Sequence, residues 1–178
     1  MHENFTSALF FVVKAPLELY AIILLSRFIL AYEQANYFNP IIRLIIRLTQ
    51  PLVAPLRRII PNYRRIEFST FVWVLIIELI KVTLLSALTI GVLPILLLIQ
   101  VALVDAVKSL LKIFFYAILL QAIVSWFQPG ETPATQILRQ LSAPVLRPLQ
   151  RIIPPLGGFD ITPIPALLIL QLLIILIS

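Results

Sequence analysis

Cysteine is absent from the 178 residues, and histidine occurs once, as His2. Disulfides, thiolate nucleophiles and zinc or iron–sulfur centres are thereby excluded. No metal site, cofactor or catalytic group is expected, and an enzyme is not expected either. Charge is scarce: Asp, Glu, Lys and Arg make up 12% of the chain, against about 25% in soluble domains. Lys and Arg are missing from the first seven residues and no small-residue cleavage pattern follows. The amino terminus therefore does not read as a signal peptide, and the first apolar stretch is expected to be retained.

What is present is apolar. Hydrophobic residues make up 61% of the chain and mean hydropathy is +1.04, so the chain is expected to be solvated by lipid rather than water. Apolar runs at about 8–32, 68–90, 92–127 and 161–178 approach the ~20 helical residues that cross a hydrocarbon core. These predict an all-α membrane protein with four transmembrane helices. The third run is too long for one perpendicular span. It is expected either to tilt strongly or to divide into an apolar lead-in, 92–104, and a span at about 105–127, with Pro94 and Asp105 as break points. The fourth is short, and suffices only if its helix begins near Asp160.

Self-similarity is the most specific signal. Leu48 to Pro61 and Leu141 to Pro154 share eight of 14 positions at a shift of 93, including Pro51/Pro144, Pro55/Pro148, Arg58/Arg151 and Pro61/Pro154. The match extends to Pro40/Pro133 and Glu67/Asp160 and, with one inserted residue, to Lys14/Lys108, Ala31/Ser125 and Tyr32/Trp126. Two repeats, 1–92 and 93–178, are expected, each with two spans joined by a loop, 33–67 or 128–160.

Nine of the 14 basic residues lie in those loops: Arg43, Arg47, Arg57, Arg58, Arg64, Arg65, Arg139, Arg147 and Arg151. Basic loops stay cytoplasmic, which places both chain ends on the opposite side and makes the repeats parallel. The excess of positive charge thus reports topology, and no nucleic-acid partner is expected.

Asn39-Pro40 and Thr132-Pro133 are helix starts, a capping side chain followed by proline at the first helical position. Arg43 and Arg47, four apart, share a face of a short helix suited to the headgroup plane. Pro51 and Pro55 are expected to interrupt it and Pro61 to end the following turn, with Pro144, Pro148 and Pro154 doing the same in the second copy. In the resulting elbows Leu56, Ile59, Ile60, Leu149, Ile152 and Ile153 would enter the interface. Arg57, Arg58, Arg147 and Arg151 would meet lipid phosphates or partners. The elbows are read as interfacial anchors, with re-entrant hairpins lining a pathway as the alternative.

Ionisable groups inside spans cost on the order of 2.5–3.5 kcal/mol each on insertion scales. Lys14/Glu18, Glu78/Lys81 and Asp105/Lys108 are three or four apart and are expected to neutralise one another. Glu78 and Arg27 are harder to place near a span end. Glu18 aligns with Lys112, Arg27 with Gln121 and Glu78 with Gln171, so the halves differ in buried charge. Glu18 and Lys112 would pair if the halves pack face to face; alternatively Glu18 and Glu78 would be cation ligands. Tyr32 and Trp126 read as interfacial anchors, Tyr20 and Trp73 as packing.

The duplicated Pro/Arg element, Ser125-Trp126, the Gly157-Gly158-Phe159-Asp160 turn and the four apolar segments resemble the YggT family, related to YlmG proteins of bacteria and plastids. Asn62-Tyr63-Arg64-Arg65 stands in the first half where the second has the glycine turn. The resemblance implies a multi-pass protein of the bacterial inner membrane, with roles in assembly of membrane or haem proteins, envelope organisation, or ion and osmotic homeostasis. With His2 and Met1 each the sole residue of its type, no haem ligand is evident. Two functions compete: a non-enzymatic scaffold or assembly factor, binding anionic lipid and other membrane proteins through the elbows, and an oligomeric ion channel or transporter using Glu18, Arg27 and Glu78. A homo-oligomer is expected in either case.

Overall fold

Residues 2–89, 91, 93–127, 130–153 and 160–177 are described by the computed structural model, the side chains of 2–7, 126 and 127 excepted. They form six helices: α1 (His2–Tyr32), α2 (Pro40–Ile59), α3 (Phe68–Thr89), α4 (Ile95–Phe127), α5 (Pro133–Ile152) and α6 (Pro163–Ile177). Pro154, expected to end the turn of the second copy, and the Gly157-Gly158-Phe159 turn lie outside the described residues.

Three of these helices are long and apolar enough to cross a membrane, at Ala8–Tyr32, Phe68–Thr89 and Ile95–Ser125. The expected fourth span is shorter: α6 has 15 residues, about 22 Å at 1.5 Å per residue, because its helix starts at Pro163 rather than near Asp160. Pro94 does mark the start of α4, since proline has no N–H to donate and Leu98 bonds back to its carbonyl at 3.1 Å. Asp105 does not break it. The 33 residues of α4 run unbroken for about 50 Å, because Asp105 is engaged by a lysine of α3 and needs no departure from the helix.

The prolines of the two connecting segments also correct the expectation. Instead of interrupting, Pro51 and Pro55 lie inside α2, and Pro144 and Pro148 inside α5, each helix being 20 residues long. Helix α2 ends at Ile60, an extended C-cap, just before Pro61. Each internal proline frees the carbonyl four residues earlier. Pro51, Pro55, Pro148 and the adjoining Arg47 are exposed, and Pro144 is half-buried, so these positions lie toward the outer faces of α2 and α5 rather than in the core.

Helix α1 packs on α2 and α3, and α4 packs on α5 and α6; α3 with α4, α1 with α4 and α5, and α2 with α5 join the two sets. The principal core gathers Leu24 and Ile29 of α1, Ile42 and Val53 of α2, Val74 of α3, Ile113 of α4 and Leu141 of α5. Lipid tails are as apolar as these side chains, so close packing and polar ties, rather than a hydrophobic gain, hold such helices together. Buried Ala21, Ala106 and Ala117 permit that close approach.

Asn39 carries one such tie. Its side-chain oxygen caps α2 by accepting from the Ile41 N–H at 2.9 Å, and its amide donates to the Pro133 carbonyl at 2.8 Å. The two connecting helices therefore start side by side at one end of the bundle. Asn39→Ala should lose about 1 kcal/mol from the cap alone. A larger loss is expected, because the Pro133 bond goes with it; denaturant titration in detergent measures this, and an unchanged midpoint would contradict it.

Candidate functional site

The first candidate site is the basic face made by α2 and α5. Their apolar residues recur at helical spacing, burying Ile42, Thr49 and Val53 in one and Ile137, Leu141 and Leu146 in the other. The outward faces carry the arginines, with Leu44 and Leu48 of α2 also exposed among them. Arg43, Arg47, Arg57, Arg58, Arg147 and Arg151 are all exposed. Arg147 reaches Glu33 at the end of α1 at 2.6 Å, and Arg57 lies 3.8 Å from Glu67. Arg47, Arg58 and Arg151 have no acidic partner within 4.0 Å among the described residues. Beside the last two stand Ile59 and Ile152, 78% and 76% exposed and 93 positions apart. An arginine next to a bare isoleucine at the end of an amphipathic helix suits a surface with phosphate above and acyl chain below.

A buried ionic knot holds α2 in place. Arg27 of α1 donates from Nε and Nη2 to the two carboxylate oxygens of Glu67, at 2.9 and 3.0 Å, and from Nη1 to the Thr49 hydroxyl at 2.9 Å and the Gln50 amide oxygen at 3.2 Å. Thr70 of α3 donates to Glu67 at 2.6 Å. Arg27 and Glu67 are each 5% exposed, and Thr49 and Thr70 are fully buried. The planar guanidinium thus forks onto one carboxylate and joins α1, α2 and the entry to α3. Burial pushes the Glu67 carboxyl up, but the Arg27 and Thr70 hydrogen bonds and the Arg27 and Arg57 charges outweigh it and hold its pKa below the usual 4.5. A cavity of about 320 Å³ adjoins the knot, lined by Arg27, Tyr37, Gln50, Arg57 and Glu67 among others.

The second half builds the same positions with fewer charges. Ser142, 93 after Thr49, donates to the amide oxygen of Gln121, which aligns with Arg27. Gln150, 93 after Arg57, donates to Asp160 at 2.9 Å. Asp160, 93 after Glu67, also accepts from the Thr162 N–H and hydroxyl at 2.9 and 2.5 Å. Burial raises its pKa, yet these bonds bring it below the usual 3.8.

A third cluster lies between α3 and α4. Lys81 pairs with Glu78 and, at 3.1 Å, with Asp105, and Ser109 donates to Glu78 at 3.3 Å. The expected Glu78/Lys81 pair forms. Asp105 turns to Lys81 rather than to its own-helix neighbour Lys108, because a lysine already buried between helices has more to gain from a second acid. Among the described residues, no group of three or more His, Cys, Asp or Glu could hold a metal ion. Glu18 and Lys112 line one cleft of about 380 Å³ between α1, α4 and α5 but form no ion pair within 4.0 Å. Tyr20, read as packing, also donates to the Leu48 carbonyl at 3.2 Å.

Sequence reasoning missed Glu67, Thr49, Thr70 and Ser109 as partners and left Asp105 with the wrong one. A signal existed: Arg27 and Arg57 both become glutamine in the other half while the acid between them persists as Glu67 and Asp160.

The model of the CCB3/YggT family matches residues 6–88 and 100–178. An uncharacterized protein of Pseudomonas aeruginosa, PA0392, is 36% identical over 170 residues, covering 94% of this chain and 86% of that one. Uncharacterized protein YggT of Escherichia coli K12 is 31% identical over 167 residues, covering 94% and 87%. An uncharacterized protein of Vibrio alginolyticus is 32% identical over 154 residues, covering 85% and 83%. No solved structure matches.

Arg27→Ala leaves the buried Glu67 with only the Thr70 hydrogen bond and the more distant Arg57, a loss approaching about 3–5 kcal/mol, that of a broken buried pair. Arg27→Gln combined with Glu67→Gln should cost much less than the sum of the two single changes, since the second half already works with Gln121. Additive losses in a double-mutant cycle would argue against this coupling. The depressed Glu67 pKa also sets a sign: its contribution is complete above about pH 4.5, the unfolded value, and is lost as pH falls through the lower folded value. Acid titration of unfolding should therefore show a limb that flattens in Glu67→Gln, and an unaltered limb would be inconsistent with it.

Proposed function

Starting from the fact that this chain belongs to the CCB3/YggT family, we propose that it is a non-enzymatic scaffold or assembly factor of the bacterial inner membrane. The observation that carries the reading is the basic face: two amphipathic helices side by side at one end of an apolar bundle, with unpaired Arg47, Arg58 and Arg151 and bare Ile59 and Ile152. In this reading the chain is two parallel repeats, α1–α3 and α4–α6, with α6 as a short fourth span. The α2/α5 face lies in the cytoplasmic headgroup layer, where positive charge is retained, and both termini lie opposite. Its ligands are anionic lipid headgroups and the juxtamembrane segments of other membrane proteins.

Ion conduction, the competing reading, has less support. Arg27 is consumed by Glu67, and Glu78 is fully buried against Lys81 and Ser109, so neither is presented to a passing ion.

The test is Arg58→Gln with Arg151→Gln in the full chain. Each arginine near anionic lipid contributes about 1 kcal/mol, so retention of phosphatidylglycerol, read by native mass spectrometry, should weaken about thirtyfold. Recovery of co-isolated membrane proteins should fall with it, while membrane insertion persists. Unchanged retention and unchanged recovery would count decisively against the proposal.

A further inference from the structure

The cleft that contains Glu18 and Lys112 differs from the paired charged sites between the helices: like Lys14 and Lys108, its two charges have no opposite charge within 4.0 Å among the described residues, but here an acid and a base line one cleft. Arg27, Glu67, Glu78, Lys81 and Asp105 each have an opposite charge within 4.0 Å. Glu18 is half-buried and Lys112 exposed, and neither has an ion-pair or hydrogen-bond partner among the described residues. Both sit well inside their helices: Glu18 lies ten residues into Ala8–Tyr32, and Lys112 lies 17 residues into Ile95–Ser125. A bare charge at such depth is expensive in lipid, and intramembrane charges are found covered and paired.

The rest of the lining is suited to helix contact. Glu18, Ile22 and Ser26 succeed one another at four-residue spacing on α1. Ser109, Lys112, Tyr116 and Leu120 do so at three and four on α4, one face of each helix. Buried Ser26, Ser109 and Ala117 form a floor of small residues beneath the cleft, while Tyr116, 57% exposed, stands out as a knob.

From this we propose that the α1/α4 cleft is a two-fold interface with a second copy of this chain, in which Glu18 of each protomer pairs with Lys112 of the other. A two-fold contact requires that if residue i meets j, then j meets i. One acid and one base on a single surface satisfy that condition, and the two pairs formed leave no charge facing lipid. The surface is separate from the α2/α5 basic face, so this inference does not depend on the function proposed above.

Absence of cysteine makes the experiment clean. Ile22→Cys, the only thiol in the chain, should form a disulfide-linked dimer on mild oxidation in nanodiscs, and sizing should give a dimer. Glu18→Lys and Lys112→Glu, each alone, place like charges in apposition and should weaken dimerisation at least tenfold. Mixed together they should form a heterodimer, because each lysine then faces a glutamate of the other chain. That rescue is impossible if Glu18 and Lys112 serve one another within a chain. Should the reversed chains fail to insert, Glu18→Gln and Lys112→Gln remove a charge without adding one, and each should weaken dimerisation at least threefold. The proposal is overturned by a monomeric wild-type chain, by single variants that dimerise like wild type, or by a mixture that stays monomeric. A monomer that retains phosphatidylethanolamine, lost in Lys112→Gln, would instead assign the cleft to a zwitterionic lipid.

Discussion

Everything at the basic end of the bundle hangs on the fork between Arg27 and Glu67. Helix α2 packs on α1 and α3, and its apolar stripe alone does not fix its position in surroundings as apolar as itself. The guanidinium supplies direction: two donors on one carboxylate, a third on Thr49 and Gln50 of α2. With Thr70 closing the carboxylate from α3, three helices share one set of hydrogen bonds. The exposed arginines of α2 can then face outward because the buried one faces inward.

The two halves solve this problem with different chemistry. Where the first uses a fully charged fork, the second uses Gln121 with Ser142, and Gln150 with Asp160. An amide costs less to bury than a guanidinium and binds less strongly, so α5 is held by packing on α4 and α1 and by the Arg147–Glu33 pair rather than by a buried fork. Similar backbones with unlike polar ties give the protein two ends of one surface that need not respond alike to acid or salt.

Much of the architecture was open to inspection in the residues. Asn39-Pro40 and Thr132-Pro133 announce where α2 and α5 begin, and the 93-residue shift predicts that both end alike, at Ile59 and Ile152. The Glu78/Lys81 pair was legible because three residues along a helix is a local distance. Continuity through Pro51 and Pro55 was not, because a proline's cost depends on what its freed carbonyl faces, and that is a property of the assembled bundle. Arg27 with Glu67, and Lys81 with Asp105, are separated by 40 and 24 positions. No local pattern reports such pairs; only the matched loss of arginines between the halves hinted at the first.

The internal prolines carry a consequence for how the protein sits. Each of α2 and α5 has two carbonyls without a helical partner, those of Arg47 and Pro51 and those of Gln140 and Pro144. Such groups require water or headgroups, since hydrocarbon offers them nothing. With α2 and α5 in the headgroup layer, as proposed, they act as a waterline: the bundle would not sink past the level at which those four oxygens are wetted, nor rise without stripping lipid from Ile59 and Ile152. In the proposed arrangement the 33 residues of α4 and the 15 of α6 hang from that line. On that arrangement the membrane accommodates their unequal lengths entirely at the far side.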